Sequence, residues 1–158
     1  MQSCNFFKAC TFTNNCNFVV EFFGSQTIEV KEIALSYVVI AYEEPIVFLK
    51  YKKDTQLGFP EIRELINCAE KISNYKPYVT LSDVRDGINM TPEGKKMVSD
   101  LDNMPLFRGT AVLVKNNMYR FALEFLYSFR QSKYPFKAFT SEQKAINWLK
   151  SLHLDQKL

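Results

Sequence analysis

Three successive strand-then-helix units occupy residues 77 to 152 and constrain the fold more than any other feature of the chain. In each unit a short apolar run is followed by a segment whose apolar residues recur at helical spacing. Strands that alternate with amphipathic helices form a parallel or mixed sheet with right-handed crossovers. We therefore predict an α/β fold whose loops and helix N-termini gather at the carboxyl edge of the sheet, where such proteins usually bind a ligand.

Upstream of these units the sequence predicts a β-hairpin. The apolar runs YVVIAY (Tyr37–Tyr42) and IVFLKY (Ile46–Tyr51) flank a Glu-Glu-Pro junction, and proline ends a strand because it lacks a ladder donor. The alternating run TIEVKEI predicts a half-buried strand before the hairpin, and a first helix is predicted from about Phe59 to Ser73. The expected architecture is a single mixed β-sheet with an N-terminal hairpin followed by alternating helices and strands.

A chain of 158 residues is long enough for one domain with a substantial core. We assign residues 26–158 to a single α/β domain and residues 1–25 to an N-terminal arm. Three structures stay open for this arm: an added edge strand, an arm exchanged between subunits, or a disordered segment. Cys4, Cys10 and Cys16 lack the closer pair spacing of structural zinc sites, so no metal site is expected there.

The composition is ordinary except for its aromatic residues. Apolar residues make up 47% and charged residues 23%, as in a soluble globular protein. The 14 Phe and 8 Tyr indicate a thick core, an apolar pocket or a subunit interface. No apolar run approaches the roughly 20 residues that a membrane-spanning helix needs, and the first residues do not resemble a signal peptide. We therefore expect a cytoplasmic protein.

The second helix has the clearest start. Thr91-Pro92-Glu93 places a capping hydroxyl, a first-turn proline and an acidic residue in the order that helix N-termini prefer. Gly94 in the first turn indicates either a close backbone approach or mere tolerance. The next strand, TAVLVK (Thr110–Lys115), is apolar without alternation, which predicts cover on both faces.

The third helix, predicted from about Asn117 to Gln131, has an unusually wide apolar surface. Leu123 and Tyr127 form one strip, and beside it lies a broader stripe of Met118, Phe121, Ala122, Phe125, Leu126 and Phe129. Two interpretations stay open: a deeply buried helix, or one wall of an aromatic-lined pocket or dimer interface.

The order of these elements resembles the STAS domain (sulfate transporter and anti-sigma-factor antagonist), in particular its SpoIIAA-like branch. The resemblance covers about residues 35 to 152 and is carried by PYVTLSDVRDGINMTPEG, by RGTAVLVKNN with the long helix after it, and by KYPFKAFTSEQKAINWL. It implies a regulatory module. In STAS antagonists a Ser or Thr at the start of the second helix is phosphorylated by a partner kinase, which switches partner binding.

By this resemblance Thr91 is the candidate phosphorylation site, and Ser82 is a second candidate. The family's Asp-Ser-Ser-Gly-like turn is not reproduced, since the corresponding stretch reads Asn89-Met90-Thr91-Pro92-Glu93-Gly94. An ordinary helix N-cap is the competing interpretation of Thr91. The branch also resembles the CRAL-TRIO lipid-binding fold, which implies an apolar ligand.

Polar residues cluster in two loops that we expect to meet at the carboxyl edge of the sheet. The first loop contributes Ser82, Asp83, Arg85, Asp86, Asn89 and Thr91, and the second contributes Lys115 and Asn117. Because each loop leads into a helix N-terminus, we predict that together they bind a protein partner or a small anionic or apolar ligand. A solvated rim whose residues only cap and turn is the alternative.

The sequence contains no catalytic constellation. The single histidine, His153, lies after the last predicted helix segment, and no Gly-rich phosphate loop or GxSxG motif occurs. Asp83 and Asp86 are the one pair of carboxylates that acid/base chemistry would use. We therefore predict a protein that is not an enzyme and needs no cofactor.

The sequence thus favours a non-catalytic binding or regulatory module that acts at the carboxyl edge of the sheet. The alternative is a carrier of a small apolar or lipid-like molecule, which needs a cavity between the third helix and the sheet. A homodimer is compatible with the aromatic surplus and the exposed hairpin edge. Nucleic-acid binding is not expected, because Phe121, Phe125 and Phe129 are assigned to the core.

Overall fold

The computed structural model describes residues 17–23, 26–100, 104–129 and 132–155, with side chains described within residues 32–152. In these ranges strands and helices follow the predicted order. The strands are β1 (Asn17–Phe23), β2 (Gln26–Ala34), β3 (Val38–Glu43), β4 (Ile46–Tyr51), β5 (Thr55–Leu57), β6 (Tyr78–Asp83), β7 (Ile88–Met90), β8 (Phe107–Leu113) and β9 (Phe136–Phe139). The helices are α1 (Phe59–Ile72), α2 (Pro92–Ser99), α3 (Asn117–Ser128) and α4 (Glu142–Asp155).

The main sheet of the described residues has the strand order β1-β2-β3-β4-β6-β8-β9. Strands β1 to β4 form an antiparallel meander, whereas β4, β6, β8 and β9 run parallel. This is the mixed sheet that the sequence predicts, with a hairpin before alternating helices and strands, so the predicted fold class is confirmed. Residues 17–23 of the N-terminal arm form the edge strand β1, while residues 1–16, with Cys4, Cys10 and Cys16, lie outside the described residues.

The two faces of the sheet are covered differently. Helix α4 lies against one face, where Ala145 and Leu149 are fully buried beside Ile46, Val79 and Ala111. Helices α1, α2 and α3 lie on the other face, as expected when consecutive crossovers join parallel strands in one direction along a sheet. On this second face α1 packs closely, with Ile62, Leu65, Ala69 and Ile72 in the core.

A small second sheet joins the loops at the carboxyl edge. The short strands β5 and β7 pair in parallel, and β7 lies inside what the sequence predicts as a loop between residues 82 and 91. Gly94 in α2 faces this sheet so closely that a Cβ atom there would lie 2.6 Å from the Leu57 carbonyl oxygen. Close backbone approach, rather than tolerance, therefore explains the glycine in the first turn of α2.

The strand predicted at residues 110 to 115 is closely covered on one face only, because α4 packs there, whereas a cavity separates the other face from α3. Along β8, burial alternates: Phe107, Gly109, Ala111 and Leu113 are buried, whereas the residues between them are only partly buried. The apolar run does not alternate because its less buried side chains line a cavity instead of facing water.

The prediction of a deeply buried third helix is wrong. No residue of α3 is fully buried, and the broad stripe is the most exposed part of it: Met118, Phe121, Phe125, Leu126 and Phe129 are 59–73% exposed. The narrower strip turns inward, because the Tyr127 ring stacks on Phe136 of the edge strand β9 with 3.5 Å between ring centroids. The reason given against nucleic-acid binding, that Phe121, Phe125 and Phe129 belong to the core, therefore fails.

Candidate functional site

A cavity of about 570 Å³ lies between the sheet and the helices of the second face. Its floor comes from β4, β6 and β8, and its walls come from α1 and α3. The volume is within the range of small-molecule sites, about 300–1,000 Å³. The alternative function predicted from the sequence, a carrier of a small apolar molecule, requires a cavity between the third helix and the sheet, and a cavity lies there.

The cavity forms because strand side chains alternate between the two faces of the sheet. On β6, Val79 and Leu81 point toward α4, whereas Thr80 and Ser82 point into the cavity. Most of the lining is apolar, and most of it comes from the floor strands and the walls. Its apolar members include Leu49, Leu57, Ile62, Leu65, Ile66, Ala69, Val84, Ile88, Met90, Val98, Phe107, Val112, Val114, Leu123, Pro135 and Phe136.

Hydroxyl groups are distributed along the cavity floor. The Thr80 hydroxyl donates a hydrogen bond to that of Thr110 at 2.8 Å, across the β6–β8 pair. Burial raises the pKa of Tyr51 to about 12, and a hydrogen bond with Ser82 offsets part of this increase. Tyr51 therefore stays neutral near pH 7 and acts only as a hydrogen-bonding group.

The polar end of the cavity is the carboxyl edge that the sequence predicts. Ser82, Arg85, Asp86 and Lys115 line the cavity there. Arg85, Asp86 and Lys115 are also exposed to solvent, so this end reaches the surface. The two predicted loops do meet at one place, and four of the predicted residues border one space.

Arg85 is held at this edge by Asp83. Its Nε and Nη2 atoms donate to the two carboxylate oxygens of Asp83 at 2.8 and 2.6 Å, and Glu142 lies 3.8 Å from Nη2. Burial alone would raise the pKa of Asp83, but the hydrogen bonds and charge of Arg85 outweigh this and lower it. The same pairing raises the pKa of Arg85. The pair is fixed and internally neutralised, so Lys115 contributes the more available positive charge.

The remaining predicted residues do not line the cavity. Asp83 lies beside it and acts through Arg85. Asn89 is exposed in β7, and Asn117 is exposed in the first turn of α3. The helix cap of α3 is Asn116, whose Oδ1 accepts a hydrogen bond from the Tyr119 amide at 3.1 Å.

Thr91 has the capping role that the sequence indicates. Its Oγ1 atom accepts a hydrogen bond from the Gly94 amide at 3.1 Å, and its own amide donates to the Leu57 carbonyl at 3.0 Å. The side chain is half-buried. Phosphorylation of Thr91 stays a prediction.

The cavity residues Tyr51, Thr80, Thr110 and Tyr119 are absent from the sequence-based prediction, whereas Leu123 and Tyr127 were predicted only as an apolar strip of the third helix. Tyr119, Leu123 and Tyr127 of α3 follow one another at four-residue spacing, so the strip is evident in the sequence. The sequence does not show that this strip faces the sheet. The floor residues come from neighbouring strands that are distant in sequence. Only the pairing of the strands brings them together.

None of the helices in the described ranges combines the length and apolar character needed to cross a bilayer. In the same part of the chain, no three His, Cys, Asp or Glu side chains come together as metal ligands could. Cys68 is half-buried in α1, away from the cavity lining.

Comparisons with known proteins place the chain in a family and assign no activity. A family model described as "Domain of unknown function (DUF7793)" matches residues 40–153. No curated protein matches the sequence. Among solved structures, the chain is similar to an uncharacterised protein of the DUF3478 family with a SpoIIAA-like fold from Shewanella loihica PV-4. The two are 13% identical, with a TM-score of 0.49 over 90% of this chain and 99% of that one.

Proposed function

The chain belongs to the family described as Domain of unknown function (DUF7793), and we propose that it is a non-catalytic module that binds a small, mainly apolar ligand between α3 and the sheet. One observation carries this proposal, the cavity of about 570 Å³. Small-molecule sites are typically concave and mostly apolar, with a few polar groups at fixed positions, and this cavity has that form, with its polar end open to solvent.

The lining indicates the chemistry of the ligand. An apolar body would lie between Leu49 and Val112 on the floor and Leu123 on the wall. A polar or anionic end would point toward Lys115 and the Ser82 hydroxyl at the carboxyl edge. A medium-chain fatty acid has both properties and is a suitable probe of this class. The proposal thus combines the predicted edge site with the predicted apolar carrier.

Native mass spectrometry tests the proposal directly. We expect freshly purified protein, or protein mixed with dodecanoate, to have a mass excess of one ligand that denaturation releases. A clean apo mass under both conditions would contradict ligand binding. That result would instead favour a module that binds a protein partner.

A pair of matched variants locates the bound molecule. Val112→Phe adds a ring inside the cavity, and we expect it to abolish the ligand-bound mass. Val39→Phe makes the same change at a half-buried strand position that does not line the cavity, and it should bind as wild type does. Equal binding by the two variants would show that the ligand occupies some other place.

A further inference from the structure

The exposed surface of α3 carries a set of large apolar side chains. Phe125, Leu126 and Phe129 are 64–72% exposed, Met118 is 73% exposed and Phe121 is 59% exposed. We call these five residues the aromatic face. Phe125 and Phe129 pack edge-to-face with ring centroids 4.9 Å apart, so these two rings form one continuous apolar surface. Clustered exposed apolar residues of this kind mark interaction sites.

The sequence segment that contains this helix is basic. Residues 115–133 contain four basic residues (Lys115, Arg120, Arg130 and Lys133) and one acidic residue, Glu124, for a net charge of +3. The whole chain has 20 basic and 17 acidic residues, which leaves 16 of each elsewhere and a net charge of zero. Arg130 enters this count from the sequence alone. All of the net charge of the protein thus belongs to the segment that contains the aromatic face.

The two sides of α3 face different surroundings. Tyr119, Leu123 and Tyr127 line the cavity, while the aromatic face points to solvent. Helix α3 is therefore the wall between the cavity and the apolar surface. An apolar ligand that enters the cavity past α3 avoids water only if the aromatic face is in contact with an apolar phase, such as the interior of a bilayer.

We propose that the aromatic face of α3 docks on an anionic lipid bilayer, from which the cavity takes its ligand. An amphipathic helix with large apolar side chains on one face and basic flanks binds the bilayer interface in this way. A second copy of the chain is a poorer occupant, because a two-fold contact would bring two segments of like charge together. This inference deepens the proposed function and rests on it.

Vesicle co-sedimentation tests the docking. The probes are vesicles of phosphatidylcholine alone and vesicles with about 30 mol% phosphatidylserine. We expect the protein to sediment with the anionic vesicles and much less with the neutral ones. Binding should weaken between about 50 and about 500 mM salt, because salt screens the attraction of the basic segment. Equal sedimentation with both vesicle types at all salt concentrations would overturn the charge argument.

The double variant Phe125→Ser/Phe129→Ser removes two rings of the aromatic face. Both side chains are exposed and neither lines the cavity, so the variant should fold and bind dodecanoate in solution as wild type does. We expect its affinity for anionic vesicles to fall by about tenfold or more, since burial of each ring contributes to partitioning. Tyr75→Ser, at a residue that is 63% exposed at the end of α1, is the control and should bind vesicles normally.

The outcomes separate docking from ligand binding. If the double variant keeps dodecanoate but loses vesicles, the inference holds. If it binds vesicles as wild type does, the aromatic face is not the docking surface and the inference fails, while the cavity proposal stands. If wild type ignores vesicles and is a dimer in analytical ultracentrifugation that the double variant converts to monomer, a second copy covers α3 and the inference fails. If vesicle binding persists but no dodecanoate binds, the proposed function fails instead.

Discussion

Thr91 shows how a local motif can be identified from sequence and then tested alone. Its hydroxyl caps α2 by accepting a hydrogen bond from the Gly94 amide at 3.1 Å. Replacement of a Thr cap by Ala typically lowers the free energy of unfolding by about 1 kcal/mol. We expect Thr91→Ala to lose about this amount in urea denaturation and Thr91→Ser to stay near wild type. Equal stability of all three proteins would show that the cap contributes nothing.

Thr91→Asp separates the cap from the predicted phosphorylation switch. Aspartate is as good an N-cap as Thr or better, and its charge is favourable at a helix N-terminus. Stability should therefore be preserved, so a change in ligand or partner binding would reflect the added charge. Unchanged binding by Thr91→Asp would count against the switch.

Asp83 makes the stability of the carboxyl edge depend on pH. The pKa of its carboxyl is lowered, because hydrogen bonds from Arg85 outweigh the effect of burial. Such a group stabilises the folded state above its unfolded-state pKa, and the contribution is lost as pH falls through the folded-state pKa. We expect Asp83→Asn to lower the free energy of unfolding by about 1 kcal/mol at neutral pH, since Arg85 is partly exposed.

The difference between wild type and Asp83→Asn should begin to shrink as pH falls below about 4, the unfolded-state pKa of an Asp carboxyl, and should vanish once pH is below the lowered folded-state pKa. Urea denaturation at neutral and acidic pH measures this difference in the free energy of unfolding. Asp86→Asn, an exposed position in the same loop, is the control and should behave as wild type at both values. A difference for Asp83→Asn that does not change with pH would contradict the role of the ionised pair.

Single residues were predictable where their role is local in sequence. The cap at Thr91 follows from local turn chemistry, and Arg85 and Lys115 lie at one edge of the sheet because each comes just after one of two neighbouring parallel strands. Tyr51, Thr80 and Thr110 were not predictable as a group, because they reach the cavity floor from three strands far apart in the chain. Hydroxyls in apolar strands give no sign of which face they point to until the register is known.

Helix α3 marks the limit of prediction from periodicity. Its two apolar strips are evident in the sequence, and the broader one was expected to face the core. In the structure the narrower strip faces inward, since α3 lies at the edge strand β9 and is oriented there by the stacking of Tyr127 on Phe136. Periodicity gives the spacing of apolar side chains around a helix, but a helix at a sheet edge can turn either strip inward.

The attachment of α3 should therefore depend on one ring contact. We expect Tyr127→Ala to loosen α3, because no residue of this helix is fully buried and the stack is its closest aromatic contact with β9. Amide hydrogen exchange should speed up in residues 117–128 and 136–139 and stay unchanged in α4. Tyr119→Ala removes an exposed ring from the same helix and should have the smaller effect. If amide exchange in residues 117–128 and 136–139 of Tyr127→Ala is as slow as in wild type, the stack does not hold α3 in place.

The molecule as a whole is asymmetric about its sheet. The face under α4 is closed, with Ala145 and Leu149 fully buried, whereas the face under α3 encloses a cavity. The order of strands and helices was predictable because each unit of the sequence carries its own pattern and caps. The asymmetry was not, because the same amphipathic pattern occurs in a helix that packs closely and in one that stands away from the sheet.

Two matched leucines should report this asymmetry. Leu149 is fully buried under α4, whereas Leu123 is a half-buried wall of the cavity. Truncation of a buried leucine to alanine costs about 2–5 kcal/mol because it opens a new cavity. We expect Leu149→Ala to fall in this range and Leu123→Ala to cost about 1 kcal/mol, since a space already adjoins that side chain. Dodecanoate should stabilise Leu149→Ala as it does wild type. It should stabilise Leu123→Ala less, because loss of a cavity-lining side chain weakens the affinity, and the stabilisation by a ligand depends on its affinity for the folded state. Chemical denaturation of wild type and both variants, each with and without dodecanoate, measures the six free energies of unfolding that these comparisons need. Equal costs for the two truncations would mean that the α3 face is as closely packed as the α4 face, and the cavity would then not be available to a ligand.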